Sequence, residues 1–258
     1  MFASCWNPCR NSTKDPTFLD RFSRWGVVSI PVRRGLKGLI GLVTCLASVS
    51  CAGSFQQGPP LEDPVAVAAR ARSSTGTEHP SRVRFEWEYA DERGNLRGDG
   101  VGRVNPPDSF RLDLFTSAEG SMAAVLVDDR LDTLGELEDV ELPAPPFLYA
   151  MAGVFRPGDE TPSSGFQSGG SEVLGYTLSE GSHRYYFLRD GRLERVEERQ
   201  GNRLVRRIDL EWGTDSRWPK EARYRDDVKP NRVRWELVEV RTQDTEWPVE
   251  IYDLGPPR

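Results

Sequence analysis

From Val83 to Tyr89 the chain alternates strictly. Val83, Phe85, Trp87 and Tyr89 are apolar, and Arg84, Glu86 and Glu88 are charged. A period of two places one set on each face of a strand, whereas a helix would scatter both sets around its circumference. One apolar face and one wet face is the signature of an antiparallel sheet, so this pattern excludes a parallel α/β core. Similar segments recur at 98–104, 109–116, 122–128, 130–134, 172–179, 183–189, 192–199, 203–212, 219–225 and 232–241. Turn residues punctuate them at Asn95, Asp190-Gly191 and Gly201-Asn202. The fold expected is mainly β: about eleven strands in consecutive hairpins, forming one antiparallel sheet curled as a barrel or half-barrel.

Two stretches break the alternation. Asp63 is a suitable N-cap and Pro64 a suitable first residue for a short helix over 64–72. Beyond Pro145-Pro146, the residues Phe147, Leu148, Met151, Val154 and Phe155 fall at helical spacing and predict an amphipathic helix. The following 157–170 reads as a polar loop. Helices inserted here are placed to cover the open face of the sheet. Residues 64–258 fit a single domain.

The first fifth of the chain has a different character. All four Cys lie there, at 5, 9, 45 and 51. Arg33, Arg34 and Lys37 precede an uncharged, mostly apolar run from 38 to 50, too short to span a bilayer comfortably, which takes about 20 residues. It fits a secretory h-region. Ala47, Ser48, Val49 and Ser50 then lead to Cys51, a pattern that resembles the bacterial lipobox with Ser48 in place of the usual Leu. On that reading residues 1–50 are leader and signal peptide, with a natural start near Val27, Val28 or Val32. Cys51 is then the lipid anchor, and 51–63, rich in Gly, Pro and Gln, is a flexible tether. The alternative, a buried apolar helix with an incidental Cys, leaves unexplained why the 207 residues after Cys51 contain no other Cys. An exported domain gains from that absence, because no stray disulfide can form. Cys5 and Cys9 have no second Cys or His pair to complete a metal site. Ala52 directly after Cys51 favours the outer membrane, facing the periplasm.

Charge excludes one class of partner. The chain has 34 Lys/Arg and 40 Asp/Glu; taking away the seven and two in residues 1–50 leaves 27 and 38, net −11. Nucleic-acid binding needs a basic face instead. Catalytic patterns are equally lacking. His79 and His183 are far apart and read as surface residues; HExxH, GxSxG and Walker patterns are absent. The acids Asp128, Asp129, Asp132, Glu136, Glu138, Asp139 and Glu141 read as a solvated loop, and the basic run 203–207 as cross-strand partners for acids. No enzyme, metal or cofactor is expected. Seven Trp, seven Tyr and eleven Phe remain to be placed. Phe85, Trp87, Tyr89, Phe110, Leu112, Leu114, Phe147, Met151, Trp212 and Trp235 face one side, as core packing or as the lining of an apolar cavity.

Three segments carry a family resemblance. FRLDLFTSAEGSMAAVLV (110–127) resembles a strand–loop–strand of the LolA/LolB superfamily of lipoprotein-localisation factors. LPAPPFLYAMAGVFRPGDE (142–160) resembles its Pro-led helix, and WPKEARYRDDVKPNRVRWELVEV (218–240) its final strand pair. The resemblance spans nearly all of 61–241. It implies an incomplete antiparallel barrel whose helices cap an apolar cavity for acyl chains or lipoproteins, with a LolA-like periplasmic carrier as partner and a monomeric state. It also implies that Ala118, Glu119 and Gly120 form the membrane-contact loop, with Glu119 where LolB-type members carry an exposed Leu. A charged residue is poorly suited to insertion. The alternative is a structural or regulatory envelope lipoprotein that uses the same fold, through its acidic surface or the 156–170 loop, to bind a partner.

Overall fold

The computed structural model describes residues 57–254, except 108, 117–119, 136, 138–139, 159, 180 and 215. Cys51, Ala118 and Glu119 lie outside the described residues. Twelve strands form one fully antiparallel sheet: β1 (Ser81–Asp91), β2 (Gly94–Asn105), β3 (Ser109–Thr116), β4 (Ser121–Val127), β5 (Arg130–Gly135), β6 (Ser164–Ser168), β7 (Ser171–Ser179), β8 (Ser182–Arg189), β9 (Arg192–Gln200), β10 (Arg203–Trp212), β11 (Pro219–Asp226) and β12 (Asn231–Thr242). Their order is β5-β4-β3-β2-β1-β12-β11-β10-β9-β8-β7-β6. Every neighbour is a hairpin partner except β1 and β12, which pair across the whole domain. The sheet stays open, with β5 and β6 as its edges.

The alternation of β1 becomes burial: Val83, Phe85, Trp87 and Tyr89 are buried, and Arg84, Glu86 and Glu88 exposed. The same rule sets Phe110, Leu112 and Leu114 of β3, and Val233 and Trp235 of β12, on the inner face. Helix α1 (Pro64–Thr75) starts as expected, with the Asp63 carboxylate accepting from the Ala66 N–H at 2.9 Å. It buries Val67, Ala68 and Ala71 against the sheet. Helix α2 (Pro145–Met151) sits on the inner face of β9, β10 and β11. Phe147, Leu148, Tyr149, Ala150 and Met151 are all buried, so α2 is enclosed on every side rather than amphipathic. It ends at Met151; Ala152 and Gly153, the latter at φ +80°, turn the chain, and Val154 and Phe155 follow outside the helix.

Three further expectations need correction. The polar loop 157–170 contains β6, which pairs with β7. The tether is bound from Gly58 onward. Gly58 N–H donates to Gln167 O (2.9 Å), Gln167 N–H to Pro59 O (2.8 Å), and Leu61 N–H to Gly165 O (3.0 Å), so the tether covers the β6 edge. Arg206 does not stand on the solvent face of β10. Two residues before Ile208, it shares that residue's inner side, and the pairing slips just ahead of it, leaving Val205 as a bulge. After β12 the chain crosses the outer face of β2 and β3. There Asn105 exchanges two 2.9 Å hydrogen bonds with the Trp247 backbone, and Arg111 donates to Ile251 O at 2.6 Å.

Candidate functional site

The inner face is assembled from strand alternation and from glycine. In β2, Gly98, Gly100 and Gly102 face inward opposite Trp87, Phe85 and Val83. With no side chains at these three positions, the rings of Phe85 and Phe110 lie against the β2 backbone. A Cβ on Gly100 would come within 2.3 Å of the Phe85 ring, and one on Gly102 within 3.1 Å of the Phe110 ring. The Trp87 indole N–H donates to Asp99 O at 3.0 Å. Phe85 in turn stacks on Trp235, ring centroids 4.8 Å apart.

Beneath the C-terminal end of α2 a narrow apolar slot remains between β1, β3, β11 and β12. Phe85, Phe110, Met151, Trp218, Trp235 and Leu237 line it. Its volume is about 30 Å³. That admits about two waters and is a tenth of the smallest ordinary ligand pocket, roughly 300 Å³. Four of the ten residues expected around a cavity therefore meet at the slot: Phe85, Phe110, Met151 and Trp235. Trp87, Tyr89, Leu112, Leu114 and Phe147 are buried in the surrounding core. Trp212 stands apart, half-buried beside Gly153, with its indole N–H donating to Leu193 O at 2.7 Å. Trp218, just before β11, belongs to the slot but not to the sequence-based set. The signal available was an aromatic directly ahead of a strand-initiating Pro.

One end of the inner face is polar. Arg184, Glu198, Arg206 and Asp226 stand side by side on β8 to β11. Arg184 bonds Glu198 at 2.9 Å, Glu198 accepts from Arg206 at 2.6 Å, and Arg206 bonds Asp226 at 2.8 Å. Asp226 also accepts from the Tyr224 hydroxyl and from the backbone of Val228 and Lys229. Burial alone would raise the Asp226 carboxyl, but these donors, Arg206 foremost, hold it below the usual carboxylate range. Burial pushes the Tyr186 hydroxyl up to about 12 against the opposing pull of Arg184. The Arg184 guanidinium lies 5.1 Å above the Phe147 ring, so the ladder meets α2 through a cation–π contact. Gly120 of the β3–β4 loop, at φ +151°, accepts from Thr116 N–H at 3.1 Å. Among the described residues no group of His, Cys, Asp and Glu has metal-site geometry, and no helix is long and apolar enough to cross a membrane.

No protein-family profile matches this sequence, and no curated protein does. Solved structures of similar outline include LolA-superfamily and lipoprotein-sorting proteins. A LolA superfamily protein from Nitrosomonas europaea matches at 13% identity and TM-score 0.49, over 74% of this chain and 97% of its own. A DUF1329 family protein from Desulfovibrio piger matches at 12% and 0.47, over 74% and 98%. A domain described as an outer membrane lipoprotein-sorting protein, from Vibrio parahaemolyticus, matches at 9% and 0.47, over 74% and 96%. Likeness at this level concerns general architecture.

Proposed function

We propose that this chain is a lipid-anchored envelope protein that holds acyl chains, free or on a lipoprotein, between the inner face of its sheet and α2. The observation that carries this reading is the cover itself. A seven-residue, wholly apolar helix lies on the inner face of a twelve-stranded open sheet. It opens on Pro145 and Pro146, preceded by Pro143, and is followed by Gly153, at φ +80°, with the apolar slot opening under its end. The reading requires this segment to move about its two ends. The sequence resemblance supports the same ligand class. Phe85, Phe110, Met151 and Trp235 are the residues assigned to first contact with the chain. Trp87, Tyr89, Leu112, Leu114 and Trp212 are assigned to the surface uncovered when α2 moves, and Phe147 to the inward side of α2 itself. The residues 118–120 are assigned to membrane contact, and a LolA-like carrier is the expected donor. No bond is made or broken; burial of about 0.8 kcal/mol per CH₂ drives uptake.

On this reading Cys51 carries the anchor at the periplasmic side of the outer membrane. Because Gly58 is already bound to β6, only six residues separate it from Cys51. Fully extended they reach about 20 Å, so the β6 edge is held close to the bilayer. Native mass spectrometry of the full-length chain, extracted from membranes in mild detergent, tests both points. The expected result is a mature N-terminus at Cys51 with acyl mass, plus lipid that leaves on activation. A mass that retains residues 1–50 would remove the anchor. A chain that carries no lipid and does not quench or shift an added fluorescent fatty acid would remove the acyl-binding reading.

A further inference from the structure

On the outer face of the sheet, charge is sorted into rows that run across the strands. One row is acidic: Glu211, Glu221, Glu236, Glu86 and Asp99 are consecutive register partners on β10, β11, β12, β1 and β2. Four residues further toward the β11–β12 turn along β11, a second row is basic: Arg207, Arg225 and Arg232 on β10, β11 and β12. Arg223 and Arg234, in the row between, lean toward the acids. Arg223 bonds Glu221 at 2.8 Å, and Arg234 bonds Glu236 at 2.8 Å as well as Glu221. The acidic row is thereby compensated from within the sheet.

The basic row is compensated only in part. Arg207 bonds Asp209 at 2.6 Å and Arg225 bonds Asp227 at 3.1 Å. No side-chain hydrogen bond or ion pair reaches the Arg232 guanidinium among the described residues. Like charges directly opposite each other on neighbouring strands are destabilising, and here Arg225 faces Arg207 on one side and Arg232 on the other. Beyond Arg232 the row drops to Ala90 and then Asn95. The short Ala90 side chain leaves a trough of about 690 Å³ beside Arg232, walled by Arg207, Arg225, Arg234 and the Asn95 amide together with two carboxylates, Asp209, which Arg207 bonds, and Glu88, opposite Arg234. The body carries a net charge of −11, so a basic trough is against its overall trend.

The geometry points to a site for a phosphate oxyanion in this trough. Carboxylates are what the chain already supplies to Arg207 and Arg225, and they leave Arg232 over. A phosphate presents several acceptor oxygens to converging guanidinium forks, with the Asn95 amide as a neutral donor. A lipid head group and a soluble phosphate share this chemistry. The site lies on the face opposite the acyl slot, so it stands or falls independently of lipid uptake.

The test is calorimetric titration of the full-length chain in neutral detergent. The probes are inorganic pyrophosphate, dihexanoyl phosphatidylglycerol below its micellar concentration, and a hexaglutamate peptide. At least one phosphate probe is expected to bind. Affinity should fall about tenfold or more in the R225Q/R232Q variant, which removes two charge-assisted contacts, and should fall again between 50 and 300 mM NaCl. Lys220→Gln, an exposed cation outside the trough, should change nothing. Binding of pyrophosphate would give a soluble phosphate as the source; binding of the lipid alone would give a head group. Without any probe, Arg232→Gln should raise the melting temperature by relieving repulsion. Failure of both phosphate probes to bind, equal binding by R225Q/R232Q, tighter binding of hexaglutamate, or a lower melting temperature for Arg232→Gln would each overturn the assignment.

Discussion

Phe147 is where the cover and the polar ladder meet, so Phe147→Ala probes both. The side chain is fully buried, its ring centroid lies 5.4 Å from that of Tyr224, and Arg184 sits 5.1 Å above it. Truncating a buried Phe costs about 3–5 kcal/mol through lost transfer energy and the cavity left behind. Loss of a desolvated cation–π contact adds about 2 kcal/mol, partly counted already in that range. A total near 5 kcal/mol, at about 2–4 °C per kcal/mol for a domain of this size, lowers the melting temperature by roughly 10–20 °C. Phe147→Leu keeps much of the volume and should recover about half of that. Combining Phe147→Leu with Arg184→Met should give a coupling of at least about 0.5 kcal/mol, since the two side chains touch. The assay is thermal unfolding followed by circular dichroism, alongside uptake of a fluorescent fatty acid. Phe147→Ala should unfold earlier and take up more dye, because the slot widens beneath a loosened α2. A melting temperature within about 3 °C of wild type, with unchanged dye uptake, would refute the packing of α2 and its role as a cover.

The Asp226 carboxyl is held below its usual range, so it contributes stability at neutral pH. That stability is lost as pH falls below the unfolded carboxylate value, about 3.9, and through the lower folded value. Asp226→Asn should cost about 3 kcal/mol at pH 7 by leaving Arg206 with Glu198 as its one carboxylate partner in the ladder. It should also flatten the acid limb of the stability curve, which urea midpoints between pH 7 and 2 would measure; an unchanged acid limb would contradict the ladder. Gly100→Ala places a Cβ 2.3 Å from the Phe85 ring and should cost about 1–3 kcal/mol. Gly76→Ala, whose nearest neighbour would be 3.6 Å away, should change urea stability little, and equal effects of the two would show that β1 rings do not lie on β2.

Alternation made the sheet legible because its inner face is dry and its outer face charged, as at Val83 to Tyr89. It failed where pairing is decided by distant partners. In β6 only Phe166 is a large apolar residue, and its place comes from bonds to Pro59, Leu61 and β7 rather than from its own pattern. In β10 the period of two already sets Arg206 on the side of Ile208 and Leu210. The polar ladder was missed because charge alone, in the run 203–207, does not separate an inward Arg206 from an outward Arg207. Arg184, Glu198 and Asp226 read as ordinary charged strand residues until Arg206 joins them on the inner side. The row of glycines in β2 was legible as a strand but not as a bed for rings, since that depends on the register with β1. The ten inward residues were found as a face. Which of them border free volume depends on α2, whose docking no strand pattern encodes.

A packed interior and the proposed acyl-binding role are compatible because α2 occupies its bed as an acyl chain would. Burial of Phe147, Leu148 and Met151 contributes about 1.5–3 kcal/mol each, or roughly 5–9 kcal/mol together. A sixteen-carbon chain, with about fourteen methylenes at 0.8 kcal/mol each, contributes roughly 11 kcal/mol in the same bed. The exchange is therefore nearly balanced, with the incoming chain favoured by a few kcal/mol. An empty, preformed cavity would deliver the full value and hold its ligand too tightly to pass on. A self-filled one surrenders most of that energy to displacing the helix, and regains it when the ligand leaves. The ladder from Arg184 to Asp226 supports such a cycle, because it fixes β8 to β11 by contacts that do not depend on whether α2 is seated. Phe147 links the two, through Arg184 and through the ring of Tyr224, whose hydroxyl donates to Asp226, so on the proposed cycle the sheet keeps its form while its cover changes places.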